Sequence, residues 1–528
     1  MQSYRLTIDR FLDHAAKWWG EREVVTAESG RIGYAALRAR SNRLSGALAR
    51  LGLSFGERVG TLAWNTQHHL EIYYAAMGAG YVCHTLNPRL TVAHLSAMVN
   101  QAEDRVLAVG AGLCDLAAEV VRNCPSIQAV VLLDGDQADG RAFEGRETFD
   151  IEKLLTQLGA ETRWGDFPEE APSGLCYTSG TTGPPRGVLY THRSSYLHTL
   201  RALQADALAL TASDVVLVAV PMFHANAWGF PFAAPAVGAK LVLTGRNTDG
   251  ARLATLIRKE EATVAAGVQT VWQGLLDHLD GEGGEVPSLE RVVIGGAPCP
   301  DALIERMETR LRARVQTSWG MTELSPLGTI APARSSSRAV ASGRPPLGLD
   351  LKLTDAAGAT LPQQRNVTGH LKVKGASVVD RYFGAEDSAL DGEGYFDTGD
   401  LAAIDDQGNL NICGRTKDLI KSGGEWINPA EIENLIGRLP GVGQVAVIGQ
   451  VDDKWGERPV LVVEPQKSHT LDEQVLLAAL RGKVADWWIP DRVIQVSSMP
   501  LSVTGKIDKV RLRADCGAGA PRETPDRR

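Results

Sequence analysis

The sequence predicts an α/β protein joined to α+β, with a large N-terminal domain of layered sheets and helices and a small C-terminal α+β domain. Three observations carry this. At 528 residues the chain exceeds the ~250–300 that a single core supports. From Val59 to about Leu133 short apolar runs alternate with amphipathic stretches, the pattern of βα layers on a largely parallel sheet. Beyond Asn428, a cap followed by Pro429 and a helix facing inward with Ile432, Leu435 and Ile436, both element types recur on a smaller scale.

The elements follow in order. Thr7 to Trp19 sets Phe11, Leu12, Ala15 and Trp18 at helical spacing, and Ser41 to Leu53 repeats this with Leu44, Leu48 and Leu51. Val59 to Ala63 reads as a buried strand, followed by a helix through Leu70, Tyr73 and Ala76. Adjacent His68 and His69 point different ways on that helix, so solvated or capping histidines are expected rather than a metal site. Gly135 to Arg146 is a Gly- and Asp-rich loop. Ser194 to Leu208 forms a helix with Leu197, Leu200 and Leu203 on one side, and Val215 to Val220 a strand. Thr263 to Gln269 is a strand leading to a loop, and Arg291 to Ile294 is another strand. Near the end, Thr470-Leu471-Asp472-Glu473 is a capping box opening a helix through Leu476, Leu480, Val484 and Trp487.

Composition narrows the classes. Hydrophobic content of 44% and charged content of 22% are those of a globular protein, and a formal charge of −8 argues against broad nucleic-acid binding. Seven cysteines without a CxxC pair suit buried thiols in a reducing compartment. Met1 to Glu23 lacks the apolar core of a signal peptide, and no run reaches the ~20 apolar residues of a transmembrane helix. A soluble, cytoplasmic protein is expected.

Chemistry concentrates in a few stretches. Tyr177-Thr178-Ser179-Gly180-Thr181-Thr182-Gly183-Pro184-Pro185-Arg186-Gly187 packs hydroxyls, glycines and a cation between two short apolar strands. Glycines turn N–H groups toward a guest and hydroxyls add donors, as a phosphate requires; a surface turn is the plainer alternative. The spacing is not that of a Walker A loop. Pro221-Met222-Phe223-His224-Ala225-Asn226-Ala227-Trp228-Gly229 fits a pocket wall, although His224 alone reads as a satisfied core histidine. Gly295-Gly296-Ala297-Pro298 at a strand end admits a flat ring, or is a tight turn. In Thr317-Ser318-Trp319-Gly320-Met321-Thr322-Glu323 the indole can stack on a base, Thr322 can bond a phosphate or cap a helix, and Glu323 offers a hard cation oxygen. Asp400, in Gly394-Tyr395-Phe396-Asp397-Thr398-Gly399-Asp400, can accept from two ribose hydroxyls or simply form a turn.

Together these stretches resemble, in order and over nearly the whole chain, the motifs of the adenylate-forming superfamily of acyl-CoA synthetases, luciferases and peptide-synthetase adenylation domains. The resemblance is greatest to medium-chain fatty-acid and methylmercaptopropionate CoA ligases. It implies that Thr178 to Gly183 and Arg186 hold ATP phosphates, that Gly296 to Pro298 and Thr317 to Thr322 line the nucleotide, and that Asp400 and Arg415 hold its ribose. Glu323 and Thr178 then bind Mg2+. His224, Asn226, Trp228, Val268, Gln269 and Gly295 shape the acyl pocket, with His224 between acyl site and thiol tunnel. Gly414-Arg415-Thr416-Lys417-Asp418 matches the hinge of a mobile lid, so the domains are 1–416 and 417–515 about Lys417, with 516–528 a disordered tail. Lys421, Ser422, Gly423, Gly424 and Trp426 meet CoA, and Lys506 of Pro500-Leu501-Ser502-Val503-Thr504-Gly505-Lys506 enters the site for adenylation. The catalytic set is Lys506, Thr322 and His224. One position departs from the pattern: the usual loop lysine is Arg186.

The implied activity is ATP-dependent ligation of a fatty or other hydrophobic acid to CoA through an acyl-adenylate, with ATP, Mg2+ and CoA as cofactors and room for a homodimer. The alternatives are an acyl-AMP ligase loading a carrier protein and a non-catalytic nucleotide-binding protein of this fold.

Overall fold

Four sheets organise the structure, a computed structural model that describes residues 1–27, 30–135, 143, 145–178, 185–297, 299–333, 341–423, 425–466, 469–502 and 506–517. The first has seven strands in the order Glu147–Asp150, Ala129–Leu132, Val106–Val109, Arg58–Leu62, Val82–Leu86, Pro172–Tyr177 and Gly187–Thr191. All pair in parallel except the last two, which form a hairpin. The second sheet has eight strands, and at its centre Arg314–Gly320, Arg291–Ile294, Val264–Gly267 and Val215–Val218 lie side by side in parallel. Buried Tyr34, Tyr73, Tyr74 and Phe232 belong to the apolar core shared by these two sheets and their helices. These are βα layers, as the alternating pattern predicts.

The third sheet is antiparallel, from Leu349–Thr354 through Thr368–Gly375 and Phe396–Ile404 to Leu410–Arg415. Three residues of 3-10 helix, Thr416–Asp418, lead from it to Ile420–Ser422, the first strand of the fourth sheet. That sheet carries the long pair Val442–Asp452 and Gly456–Pro465, with separate apolar clusters around Ile432, Leu461 and Leu476 and around Val460, Val462 and Leu512. Asn428 caps Pro429–Ile436 by accepting from the Ala430 N–H, as expected.

Several expectations fail for local reasons. Trp18 is 62% exposed; Trp19, leaving the helix, packs against Gly238 instead, where any Cβ would clash with the indole. His69 is wholly buried between the Trp64 carbonyl (2.9 Å) and Thr61 (3.0 Å), and His68 pairs with Asp134 at 2.9 Å, so neither is solvated. The helix His192–Ala202 turns its polar side inward and leaves Leu200 48% exposed. Neighbouring backbone requires partners there: His192 Nδ1 accepts from the Ile8 N–H and His198 Nε2 from that of Leu327. After Val264–Gly267 comes not a loop but the helix Gln269–Glu282, buried through Trp272, Leu275, Leu276 and Leu279. The helix begun at the expected capping box is capped by Asp472 rather than Thr470 and stops at Ala478. Gly482 (φ +69°) then turns the chain and leaves Trp487 39% exposed. Cys516 lies in the helix Lys509–Gly517, not in a tail; residues 518–528 and most of 135–146 lie outside the described residues.

Candidate active site

Four neighbouring parallel strands of the second sheet deliver four of the motifs at their carboxyl ends, where open α/β sheets gather ligands. After Val215–Val218 comes His224 and a turn in which Ala225, Asn226, Ala227 and Trp228 all have φ between 42° and 55°. Four successive non-glycine residues in the left-handed region cost about 1–2 kcal/mol each, so the surrounding packing must hold them; Gly229 ends the turn against His198. The turn brings Trp228 beside Gly295 and Gly296: a Cβ on Gly295 would stand 3.4 Å from its indole, and one on Gly296 3.8 Å from the indole and 3.5 Å from Val268. Gly296 itself has φ +85°. Asn226 turns away, into the first sheet, with its amide against Cys176 and Gly174. Gln269 begins its helix, and Pro298 lies outside the described residues.

The strand Arg314–Gly320 ends in the densest part. The hydroxyls of Thr317 and Ser318 are spent on the carbonyls of Ala341 (2.5 Å) and Ile294 (2.9 Å), so they brace the strand end. A side chain on Gly320 would collide with the Pro326 carbonyl. Trp319 presses one face on Gly328 and donates its indole N–H to Asp400 Oδ2 at 2.9 Å; Arg415 Nε holds Oδ1 at 2.7 Å. Asp400 is 2% exposed, and burial pushes its carboxyl above the ordinary value against the pull of Arg415 and Trp319. Met321 packs under this site. Tyr190 donates to the Thr322 carbonyl at 2.8 Å, and Tyr382 to Glu323 Oε1 at 2.9 Å.

The hydroxyl-rich hairpin loop is tied at its foot. Thr178 N–H donates to the Arg186 carbonyl at 2.9 Å, and Phe383 N–H to that of Gly187 at 2.7 Å. The Arg186 guanidinium lies over the Tyr382 ring, 5.1 Å from its centroid. Ser179, Gly180, Thr181, Thr182 and Gly183 lie outside the described residues.

From the fourth sheet, Lys506 reaches the same place. Ser502 N–H donates to its carbonyl at 2.6 Å, closing a narrow loop whose residues 503–505 are not described. The Lys506 side chain is exposed to solvent, and its ammonium stands within reach of the charges of Arg415, Asp400, Lys417 and Glu323. Burial and the nearby Arg415 and Lys417 push it down to about 8, against Asp400 and Glu323. Burial, with Arg89 and Lys506 near, pushes the His224 imidazole down to about 4, and its Nε2 is buried without a hydrogen-bond partner. His224 is therefore a neutral group at pH 7, suited to accept or donate one hydrogen bond. Thus Trp319, Glu323, Asp400, Arg415, His224 and Lys506 share one region, although they span 283 residues of chain (224 to 506).

The 420–427 hairpin is different. Ser422 is 3% exposed and accepts from Arg458, Gly423 donates to the Trp455 carbonyl, and Lys421 lies over the 52%-exposed Trp426. Of the residues expected to meet CoA, Lys421 and Trp426 are the described ones with exposed side chains; Gly424 lies outside the described residues. Lys417 sits in the 3-10 turn between the third and fourth sheets, and burial pushes its ammonium down.

Among the described residues no three His, Cys, Asp or Glu side chains converge to cage a metal. A single carboxylate, Glu323, with one oxygen taken by Tyr382, fits a magnesium ion that arrives largely coordinated by nucleotide phosphates and water. The Thr178 hydroxyl accepts from the Arg186 N–H at 3.4 Å and keeps a lone pair. Away from this region, a surface cavity of about 450 Å³ beside Arg306 and Arg310 has its arginines paired with Asp277 and Asp280, and carries no chemistry.

Tyr382, Tyr190 and Arg201 are support residues that sequence reasoning missed. Arg201, 3% exposed, donates to Ser377 Oγ at 2.8 Å and to the carbonyls of Leu324 and Leu327. None sits in a motif with its own chemical signature, and each acts through long-range contacts.

Known proteins match nearly the whole chain. Residues 12–383 match the family model of AMP-binding enzymes and residues 431–506 that of the AMP-binding enzyme C-terminal domain. The chain is 41% identical to a 3-methylmercaptopropionyl-CoA ligase of Ruegeria lacuscaerulensis, over 97% of this chain and 98% of the relative. It is 41% identical to a medium-chain-fatty-acid–CoA ligase of Ectopseudomonas oleovorans, over 98% and 97%. Among solved structures, ATP-bound MatB from Rhodopseudomonas palustris superimposes with a TM-score of 0.86 at 27% identity, covering 98% of this chain and 99% of that one.

Proposed function

The chain belongs to the AMP-binding enzyme family and is an AMP-forming acid–CoA ligase, and from that premise we propose that it activates a fatty or other hydrophobic carboxylic acid with magnesium-bound ATP. The observation that carries the site reading is the arrival of Lys506, from the C-terminal domain, among Asp400, Arg415 and Glu323. Carboxylate attack on the α-phosphate spreads charge over phosphate oxygens, and a protein helps mainly by positioning and neutralising. Lys506 would bridge the acid and the phosphate, with Thr322 bonding the latter. Asp400 would hold the ribose, and Trp319, beside it, would stack on adenine. Magnesium, held by Glu323 and the Thr178 hydroxyl, would neutralise phosphate charge.

The second half-reaction needs Lys506 withdrawn and a thiol admitted. Residues 1–416 and 417–515 are read as domains that turn about Lys417, an element-terminal position suited to absorb backbone change, bringing Lys421 and Trp426 to CoA. Lys417→Pro should then spare pyrophosphate exchange and block thioester formation; normal turnover would refute the hinge. Trp228, Val268 and Gly295 supply an apolar acyl wall, which supports a hydrophobic acid. Because one methylene is worth only about 1–3 kcal/mol, a panel of carboxylic acids assayed for AMP release, with CoA as acceptor, is the deciding experiment. No acid-dependent AMP release from any hydrophobic acid would overturn the reading.

Seven unpaired thiols support a reducing, cytoplasmic setting. A homodimer would cover Leu200 and Leu347, 48% and 83% exposed on segments joined through Gln204, which sedimentation would test. No helix among the described residues is long and apolar enough to cross a membrane.

A further inference from the structure

We infer that Arg186 serves the nucleotide site through Tyr382, capping the ring whose phenol fixes the Glu323 carboxylate, and is a positioning residue rather than a phosphate ligand. This rests on the reading of Glu323 as the carboxylate that meets the ATP-bound cation. Three contacts make residues 379–383 a strut between the hairpin and Glu323. Val379 N–H donates to the Glu323 carbonyl at 2.8 Å, and Phe383 N–H to the Gly187 carbonyl at 2.7 Å. Between them, the Tyr382 hydroxyl donates to Glu323 Oε1 at 2.9 Å.

The Arg186 side chain closes that strut from outside. Its guanidinium carbon lies 5.1 Å from the Tyr382 centroid, and its backbone is fixed by the Thr178 pairing at the foot of the loop. A planar, weakly hydrated guanidinium suits an aromatic face better than a compact ammonium does. The chain has therefore kept a cation where the resembled loops carry lysine, in the form that holds a ring. With Oε1 engaged by the phenol, Oε2 is the oxygen that Glu323 presents to a hard cation.

The test uses the full-length protein and calorimetric titration with ATP, in Mn2+ and in EDTA, without acid or CoA. Tyr382→Phe should weaken Mn2+·ATP binding about tenfold, the worth of a hydrogen bond to a charged group. Arg186→Ala should weaken it about two- to fivefold, as for an exposed cation over a ring, and Arg186→Lys should fall between Arg186→Ala and the parent. In the double variant the Arg186 loss should vanish, leaving the Tyr382→Phe affinity. Metal-free ATP should bind equally well to the parent and to Arg186→Ala. Additive losses in the double variant, or an equal loss of metal-free ATP binding in Arg186→Ala, would show a direct phosphate contact and overturn the inference; the second arm decides even where Tyr382→Phe fails to fold. Glu323→Gln should weaken Mn2+·ATP but not metal-free ATP. No effect there would overturn the underlying reading of Glu323, a separate result from additivity at Arg186 and Tyr382.

Discussion

The indole N–H of Trp319 donates to Oδ2 of Asp400 at 2.9 Å, so two motifs distant in the chain form one buried unit, with Arg415 on the other carboxylate oxygen. Trp319→Phe keeps a ring for stacking but strands a buried acceptor, at about 1–3 kcal/mol. The variant should melt earlier and, under the proposed ribose contact of Asp400, show an ATP KM raised roughly tenfold with kcat little changed. Thermal denaturation and saturation kinetics check this; a variant unaltered in both would remove the pair from the ATP site.

Arg201 is a buried cation that no carboxylate pairs with among the described residues, and burial pushes it down to about 10. It binds the carbonyls that follow Glu323. Arg201→Met removes a desolvated charge but leaves those carbonyls and Ser377 without a donor, so a net loss of about 1–3 kcal/mol is expected. Arg201→Lys should not rescue it, since one ammonium cannot span three acceptors in a fixed fork. Denaturant melts decide, and unchanged stability in Arg201→Met would make the staple dispensable.

What the sequence made legible follows from which forces are local. Strands such as Val59 to Ala63, and the ends carrying Gly295 and Trp319, declare themselves by apolar runs stopped by small residues. The helix His192–Ala202 does not: its leucines read as the inner face, but unpaired backbone groups at Ile8 and Leu327 draw His192 and His198 inward. Likewise the left-handed turn over Ala225 to Trp228 has no glycine to announce it and exists because its surroundings hold it. The motif residues were legible by type. Their supports, Tyr382, Tyr190 and Arg201, were not, because each reaches its partner from at least 59 residues away.

With Lys506 pushed down to about 8 by burial and by Arg415 and Lys417, its proposed role predicts an alkaline limb for adenylation. The ammonium form is the useful one; it is complete well below pH 8 and lost above it. kcat/KM for ATP in pyrophosphate exchange, which reports the free enzyme, should fall as pH rises through about 8. Lys506→Arg stays charged and should lose that limb while reacting more slowly. Lys506→Ala should cost roughly 3–4 kcal/mol or more in exchange and spare thioester formation from supplied acyl-AMP. A limb that persists in Lys506→Arg assigns the titration to another group.

Arg438 of the C-terminal domain pairs with Asp301 of the N-terminal one at 2.6 Å, in the same arrangement that brings Lys506 to Asp400. Asp301 opens the helix Asp301–Leu311, a few residues beyond Gly295 in the chain, so under the proposed function the pair would tie the lid to the acyl side of the site. Both side chains are substantially exposed, 57% and 38%, which limits the pair to about 1 kcal/mol at most. That is enough to shift a two-state lid by up to about fivefold. Arg438→Glu should slow pyrophosphate exchange by no more than that factor and leave thioester formation from acyl-AMP unchanged or faster. Reversing the pair, Asp301→Lys with Arg438→Glu, should restore exchange, and high salt should bring the parent to the Arg438→Glu rate by screening. Equal slowing of both half-reactions, or no restoration on reversal, would show that the pair does not select between lid positions.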